Sequence, residues 1–339
     1  MGLSACSGVG PTTLAAGRPA YNAIINQTED EQILSIIVRQ RYDETFGMLA
    51  VASVTASVKV SATVGGNLGI GPRSGFEGNL VPLSGGAAYE DNPTISYVPL
   101  RGEQFVERML APISPEQAML LSRMATADFE PMRVLIRRVG GIANPRYASN
   151  ARSDLFDRCI DGYCELREAG VLDVLSGTEG SIQILLHDMD PAQRARAVEL
   201  FKACGVEKSP AASEPSRIAV RFLVGAAWAD GLDIETPSAL EVLRAAGLGI
   251  EVPRVHIDQG LVRPAGEADA RAAMLRIGSS VERPAPGVTA IEFRGWWYYV
   301  DPGDFESKQA FMFLRTLIGM RLDGPLPQAA PVLTVPVGG

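Results

Sequence analysis

Histidine is scarce in this sequence, which limits the chemistry that can be expected of the chain. Only His187 and His256 occur among the 339 residues, and they lie far apart. A zinc site needs three or four ligands at characteristic spacings, and acid–base catalysis most often combines histidine with a nucleophile and an orienting group. Neither arrangement occurs here, so the sequence predicts no catalytic residue, no metal and no cofactor.

Positive charge and long apolar runs are also in short supply. The chain has 31 Lys and Arg against 39 Asp and Glu, and without a basic face it is not predicted to bind nucleic acid. It contains no apolar run of about 18 residues, the length expected of a transmembrane helix. The glycine-rich segment 65–78 lacks Gly-Lys-Ser/Thr, so no phosphate-binding loop is predicted there.

Cysteine is represented by Cys6, Cys159, Cys164 and Cys204. The spacing of Cys159 and Cys164 matches neither Cys-x-x-Cys nor a zinc pattern, so redox catalysis is not predicted. In an oxidising compartment, Cys159 can bridge Cys164 or Cys204. We take Cys159–Cys164 as the candidate disulfide, and buried free thiols as the alternative.

The residues around His187 allow two interpretations. Asp188 and Asp190 follow it, and a His/Asp pair can bind a metal or transfer a proton. A turn at the end of a strand, with Asp190 capping a helix that begins at Pro191, explains the same residues. We prefer the second interpretation.

The most distinctive feature that is present is a long alternating strand. In residues 50–64 the even positions are Ala or Val, while most odd positions are Ser, Thr or Lys. This period of two indicates a strand with one dry face and one wet face. Glycine and proline in 65–72 predict a reversal, and extended character resumes in 87–89 and 94–98. We predict a long β-hairpin over about residues 46–100.

Helical patterns flank the hairpin. Residues 20–42 predict a helix with Thr28 as candidate N-cap and an apolar stripe that includes Ile33, Ile36 and Ile37. Helical periodicity recurs between 102 and 139, and Asp304 is the candidate cap of a last helix that ends at Leu322. Helices are also predicted at 153–169, 191–204 and 237–246, and strands at 181–186, 217–224, 274–281 and 288–300. The aromatic run Trp296–Tyr299 could form a ligand or partner surface, although coverage by the last helix is the commoner arrangement.

These patterns predict an α+β fold in three parts. A lipobox and flexible tether occupy 1–20, and a helical domain with the long hairpin occupies 21–150. A mixed α/β layer domain with a C-terminal helix and tail occupies 151–339.

The first residues match a bacterial lipobox. Leu3-Ser4-Ala5-Cys6 is followed by Ser7 and Gly8, which fits small residues before a cysteine that is lipidated. Export also requires a basic region and an apolar region, so we expect the gene to encode an apolar stretch upstream of Met1. A chance match is the alternative.

Segments at both ends carry a resemblance to a family. Residues 31–42, EQILSIIVRQRY, resemble the EQLLLNIVRLRY segment of a family of predicted proteobacterial lipoproteins. Residues 92–105, residues 294–301 and the tail 331–338, which is PVLTLPVG-like, resemble other parts of that family. The resemblance implies export and lipid attachment, and it implies no activity.

Two functions remain open. In the first, the chain is a non-enzymatic structural lipoprotein of the cell envelope, on the periplasmic side of the outer membrane. Its predicted partners are outer-membrane lipid, contacted through Cys6 and in one version also through the hairpin, and other copies of the chain. The residues predicted for homo-oligomerisation are Val54, Val58, Val60, Val64, Tyr89 and Tyr97. In the second, it is a monomeric periplasmic binding or accessory module whose hairpin packs on its own helices.

Overall fold

The computed structural model of the chain describes residues 9–55, 58–66, 83–91, 94–100, 102–127, 129–148, 153–176, 182–204, 206, 215–222, 231–266, 272–322 and 333–336. Helices and strands are interleaved along these residues, which confirms the predicted α+β class.

The helices, in chain order, are α1 Val9–Arg41, α2 Glu103–Leu110, α3 Pro115–Ser122, α4 Met132–Leu135, α5 Ser153–Glu168, α6 Pro191–Ala203, α7 Ala239–Ala246, α8 Arg254–Asp258 and α9 Phe305–Leu322. The strands are β1 Met48–Thr55, β2 Val58–Gly66, β3 Leu83–Asp91, β4 Thr94–Leu100, β5 Arg138–Val139, β6 Ile142–Ala143, β7 Leu172–Ser176, β8 Ile182–Leu186, β9 Ser216–Phe222, β10 Gly231–Glu235, β11 Gly278–Ser280, β12 Ala290–Phe293, β13 Trp296–Tyr299 and β14 Leu333–Pro336.

The chain forms two compact units. The first contains the chain up to Phe46 together with residues 102–323, and the second contains residues 47–101 and 324–339. The predicted boundary near residue 150 therefore falls inside the first unit. The reason is strand pairing, because β5, which precedes residue 150, pairs with β10, which follows it, and Val139 faces Ile234.

The second unit contains the predicted hairpin. β1 pairs antiparallel with β4, and β2 pairs antiparallel with β3. The two ladders have the same register. Thr55 faces Thr94, and Val58, three residues after Thr55, faces Asp91, three residues before Thr94. The C-terminal strand β14 pairs antiparallel with β4, so the tail adds a third strand to the base of the hairpin. No pattern in the sequence predicts this last pairing.

The first unit contains a six-stranded sheet in the order β6-β5-β10-β9-β8-β7. β9 and β10 run parallel, and the other neighbours run antiparallel. Along β8, Ile182, Ile184 and Leu186 are buried while the residues between them are partly exposed. The buried side of the sheet joins residues of α5 and α6, such as Phe156 and Leu200, in one hydrophobic core.

Helix α7 organises the remaining helices of this unit, since it contacts α1, α2 and α9. The hydroxyl of Ser238 accepts a hydrogen bond from the amide of Glu241 at 3.2 Å, and the Glu241 carboxylate accepts one from the amide of Ser238 at 2.8 Å. This capping box satisfies two of the otherwise unpaired donors at the helix start. Val242 and Leu243 are fully buried, so α7 is held by the core along its length.

Helix α1 is longer than predicted. It begins at Val9 and continues through Pro19, so residues 9–19 of the predicted tether are helical. The helix tolerates this proline at the loss of one backbone donor. Thr28 is not an N-cap, because it lies inside the helix and its hydroxyl donates to the carbonyl oxygen of Ile25 at 2.9 Å. The predicted apolar stripe is confirmed, since Ile33, Ile36 and Ile37 are buried.

Residues 288–300 form a hairpin and not the single predicted strand. β12 and β13 pair antiparallel. The turn between them is Arg294–Gly295, with φ of 52° and 78°, the two positive values that a type I′ turn requires. Together with β11 they form a three-stranded sheet that contacts α1.

Candidate functional site

The hairpin register groups the predicted assembly residues within each ladder. Directly opposed residues of an antiparallel ladder share a face, and a strand returns to that face every second residue. In the β2–β3 ladder, Val60 faces Tyr89, and Val58 and Val64 lie an even number of residues from Val60, so the register assigns these four residues to one face. In the β1–β4 ladder, Val54 faces Ile95.

Tyr97 lies on the same face of the β1–β4 ladder as Val54. Its position follows from β4, where Tyr97 is two residues after Ile95, the partner of Val54. An irregularity between Val51 and Ser53 shifts the register of β1 by one residue, so Val51 faces Tyr97 and lies on that face as well. At the base of the hairpin the opposite face is also apolar, and its residues Met48 and Val98 are buried.

The opposite face of the ribbon is polar. The register pairs Lys59 with Glu90, and Ser61 and Thr63 follow Lys59 at intervals of two residues along β2. In the outer ribbon of β2 and β3, the register therefore groups mainly apolar residues on one face, with Asp91 opposite Val58 as the exception, and mainly polar residues on the other.

The outer part of this ribbon has only two strands. Within the described part of the chain, neither β2 nor β3 pairs with a third strand. A two-stranded hairpin is marginally stable by itself, and each outer edge carries backbone groups that can pair with another strand. The apolar face and the open edges together can accept strands of a further chain.

Cys6, the predicted lipidation site, lies outside the described residues. Nothing in the described geometry bears on its modification.

The disulfide joins Cys159 to Cys204, and the predicted pairing of Cys159 with Cys164 is corrected. The Cα atoms of Cys159 and Cys204 lie 6.2 Å apart, and the bond ties α5 to the C-cap of α6. Helix geometry explains the difference. Five residues along an α-helix correspond to a rotation of about 140°, so Cys164 leaves α5 on a different side from Cys159.

Cys164 is a free thiol in a salt-bridged cluster. Its Sγ donates to Glu130 Oε2 at 3.4 Å, and Arg167 Nη2 donates to the same oxygen at 2.7 Å. Burial, followed by the Glu130 carboxylate, raises the pKa of the Cys164 thiol to about 12. Because the thiolate is the nucleophile, Cys164 is not prepared for nucleophilic or redox chemistry at neutral pH.

A buried chain of hydrogen bonds connects three distant residues. The hydroxyl of Tyr42, which follows α1, lies 2.7 Å from Nδ1 of His256 in α8 and 2.6 Å from the hydroxyl of Tyr298 in β13. Tyr42, His256 and Tyr298 are 6%, 4% and 0% exposed. Every contact is satisfied when Tyr298 donates to Tyr42 and Tyr42 donates to an unprotonated Nδ1. Sequence patterns did not reveal this hydrogen-bond chain, because its three residues come from separate regions of the sequence.

The surroundings keep these groups uncharged. Burial, with a smaller effect from the charge of Arg294, lowers the pKa of His256. Burial raises the pKa of Tyr42 and of Tyr298. The ring of Phe293 packs edge-on against Tyr42 at 5.1 Å between centroids. We assign the cluster a role in stability, since its three polar groups are buried and have one another as partners.

His187 lies at the surface with two aspartates. Its Nε2 is 3.0 Å from Asp173 Oδ2 and its Nδ1 is 3.1 Å from Asp188 Oδ2. These contacts, Asp188 first, raise the pKa of His187. Asp190 caps α6, because its Oδ1 accepts from the amide of Gln193 at 2.8 Å. The preferred interpretation of this segment is confirmed for Asp190.

A cavity of about 510 Å³ lies between the buried side of the six-stranded sheet and helices α3, α5 and α6. Its wall includes Met119, Ile160, Leu200 and Val220, and the disulfide cysteines also line it. Sequence reasoning missed this cavity, because the lining residues have the pattern of an ordinary core.

Among the described residues, no three His, Cys, Asp or Glu side chains are grouped so that they could hold a metal ion. No helix of the described chain combines the length and the apolar character needed to cross a membrane.

Comparisons with protein-family models, with curated proteins and with solved structures find no match to this chain. Function is therefore inferred from the chain's own residues and geometry.

Proposed function

We propose that this chain is a non-enzymatic structural lipoprotein of a bacterial cell-envelope assembly. Lipid on Cys6 holds it to the periplasmic side of the outer membrane, and the hairpin of residues 46–100 joins it to other copies. The observation that supports this most directly is the β2–β3 ribbon, which combines an apolar face with open edges.

The physical reason to expect assembly is that the ribbon of a single chain needs further partners. An amphipathic ribbon needs a cover for its apolar face, and its edge amides and carbonyls need partners or water. A neighbouring copy presents the same ladder and the same face, so it can supply both. Closed arrangements of identical copies are the commonest form of protein assembly, which favours a ring or another discrete oligomer.

The disulfide between Cys159 and Cys204 supports the proposed location. Disulfides persist in oxidising compartments such as the bacterial periplasm and are rare in the cytosol. A buried link between α5 and α6 is consistent with folding after export. The lipid anchor itself is proposed from the Leu3–Cys6 sequence.

The experiment that tests assembly removes only the outer ribbon. Residues 58–91 are replaced by Asn-Gly, a pair that favours a two-residue hairpin turn, so that β1, β4 and β14 are retained. The full chain and this variant are purified in detergent and their masses are measured by light scattering. We expect a discrete oligomer for the full chain and a monomer for the variant. The same mass for both would contradict the proposal.

The second candidate is a monomeric periplasmic binding or accessory module. The 510 Å³ cavity favours it, because a cavity of this size within a core is typical of small-molecule sites. A monomeric full chain in the light-scattering experiment would support this candidate over the structural one.

A further inference from the structure

The cavity in the first unit is lined mainly by apolar side chains. Strands contribute Ile184, Val220 and Leu232, and the helices contribute Met119 and Met132 among others. The two methionines are partly buried and pack against the core. Because methionine has a flexible, polarisable side chain, such a wall adapts to ligands of different shape.

The cavity is partly open to solvent, because Arg123 and Asp173 in its lining are exposed. A volume of about 510 Å³ falls in the range of about 300–1,000 Å³ found for small-molecule sites. Apolar cavities hold water poorly because they offer few hydrogen-bond partners. An apolar ligand would restore the packing that the side chains alone leave incomplete.

Two of the charged residues that line the cavity are paired with another described side chain, and one is not. Asp173 lies beside His187 at 3.0 Å, and Arg167 is bonded to Glu130 at 2.7 Å. Arg123 is exposed at the edge of the lining, and its side chain forms no ion pair with another described residue. The lining therefore has one positive charge that is not compensated within the described chain, next to an apolar interior.

We propose that this cavity binds a single-chain amphiphile with a carboxylate head, such as a fatty acid. The hydrocarbon chain lies between the sheet and helices α5 and α6, where it is removed from water. The carboxylate lies at Arg123, where a guanidinium offers paired donors in a geometry that suits two carboxylate oxygens. The proposal goes beyond the assembly function and concerns the first unit alone.

The test measures binding to the full chain by titration calorimetry, with decanoate as the probe and decanol as its neutral analogue, both below the concentration at which they aggregate. We expect both to bind, decanoate more tightly. Arg123→Gln is expected to weaken decanoate about threefold to fivefold, the range for an exposed charge pair, and to leave decanol unchanged. The matched control is Arg158→Gln, because Arg158 is an exposed arginine of α5 that does not line the cavity.

A second pair of variants fills the cavity. Val220→Phe adds a ring from β9, and Ala118→Leu adds a smaller volume from α3, which keeps the test valid if the first variant fails to fold. Either folded variant should bind both probes at least about tenfold more weakly, with its thermal midpoint maintained or raised, because filling a cavity restores core contacts.

The proposal is overturned if the unmodified chain binds neither probe, if a folded filling variant binds as tightly as the unmodified chain, or if decanoate and decanol bind equally. Its failure is distinguishable from that of the assembly proposal, because the mass in light scattering reports only on the hairpin.

Discussion

The hydroxyl of Tyr42 lies 2.6 Å from the hydroxyl of Tyr298, 256 residues further along the chain. This contact connects the end of α1 to β13, and His256 lies on the other side of Tyr42 at 2.7 Å. Tyr42 is therefore the middle residue of the buried hydrogen-bond chain, and its hydroxyl is the partner that His256 and Tyr298 share.

Tyr42→Phe should destabilise the first unit. The change leaves the Tyr298 hydroxyl and the His256 Nδ1 without this partner in a buried site, which costs about 1–3 kcal/mol per unsatisfied group. The measurement is the free energy of unfolding in urea. The control is Tyr299→Phe, because the hydroxyl of Tyr299, in the same strand, forms no hydrogen bond with a described residue. Equal unfolding free energies for the two variants would show that the buried hydrogen-bond chain does not stabilise the fold.

The lowered pKa of His256 predicts a loss of stability in mild acid. In the unfolded chain this histidine has its ordinary pKa of about 6.5, and in the fold its pKa is lower. The unfolded state therefore takes up the proton first as pH falls. The contribution of His256 is complete above about pH 6.5 and is lost as pH falls toward the pKa of the folded state.

His187 opposes this effect, because its pKa is raised by Asp188 and Asp173. Its contribution is complete below about pH 6.5 and is lost as pH rises through the raised pKa. The comparison is therefore made in a His187→Gln background, with and without His256→Gln. The unfolding free energy should fall more steeply from pH 7 to about pH 5 when His256 is present. Parallel pH profiles for the two proteins would rule out the assigned role of His256.

The disulfide predicts a redox-dependent stability. The cross-link closes a loop with a sequence separation of 45, for which the chain-entropy relation gives roughly 4 kcal/mol. Cys159→Ala/Cys204→Ala should lose stability of this order under oxidising conditions, and Cys164→Ser should lose much less. Peptide mapping of the unreduced protein should recover Cys159 linked to Cys204. A peptide that links Cys159 to Cys164 would contradict the structure.

If Cys6 is lipidated, the protein should incorporate a labelled fatty acid in its native host. Cells fed radioactive palmitate should incorporate label into the full-length gene product and not into its Cys6→Ala variant. The control is Cys164→Ser, which should be labelled normally. Equal labelling of the Cys6→Ala variant would exclude Cys6 as the anchor.

Features with a local cause were predictable from sequence. Asp190 and Asp304 were identified as caps because a carboxylate before a helix accepts from the amides of its first turn, and both make these contacts. The hairpin was predictable because alternation over fifteen residues indicates a strand with two different faces, whereas the register shift between Val51 and Ser53 was not predicted. Gly170, with φ of 70°, follows α5 in the left-handed conformation in which glycine commonly ends a helix.

Features that depend on distant partners were not predictable. β10 begins at Gly231 and has five residues, and its position in the sheet is fixed by β5 and β9 rather than by its own pattern. Helix α1 continues through Pro19, although proline usually ends a helix. The site at Tyr42 depends on contacts between residues that are more than two hundred positions apart in the sequence, which no local pattern encodes. The same holds for the cavity, whose lining is indistinguishable in sequence from a filled core.

The most direct test of assembly through the apolar face compares two matched variants in detergent by light scattering. Val58→Lys/Val60→Lys places two charges on the face that the register makes apolar, and Ser61→Lys/Thr63→Lys places two on the opposite face of the same strand. We predict that the unmodified chain and the second variant form the same discrete oligomer, and that the first variant has the 36.1 kDa mass of a single chain. An oligomer of unchanged mass in the first variant, or a monomeric unmodified chain, would contradict the account.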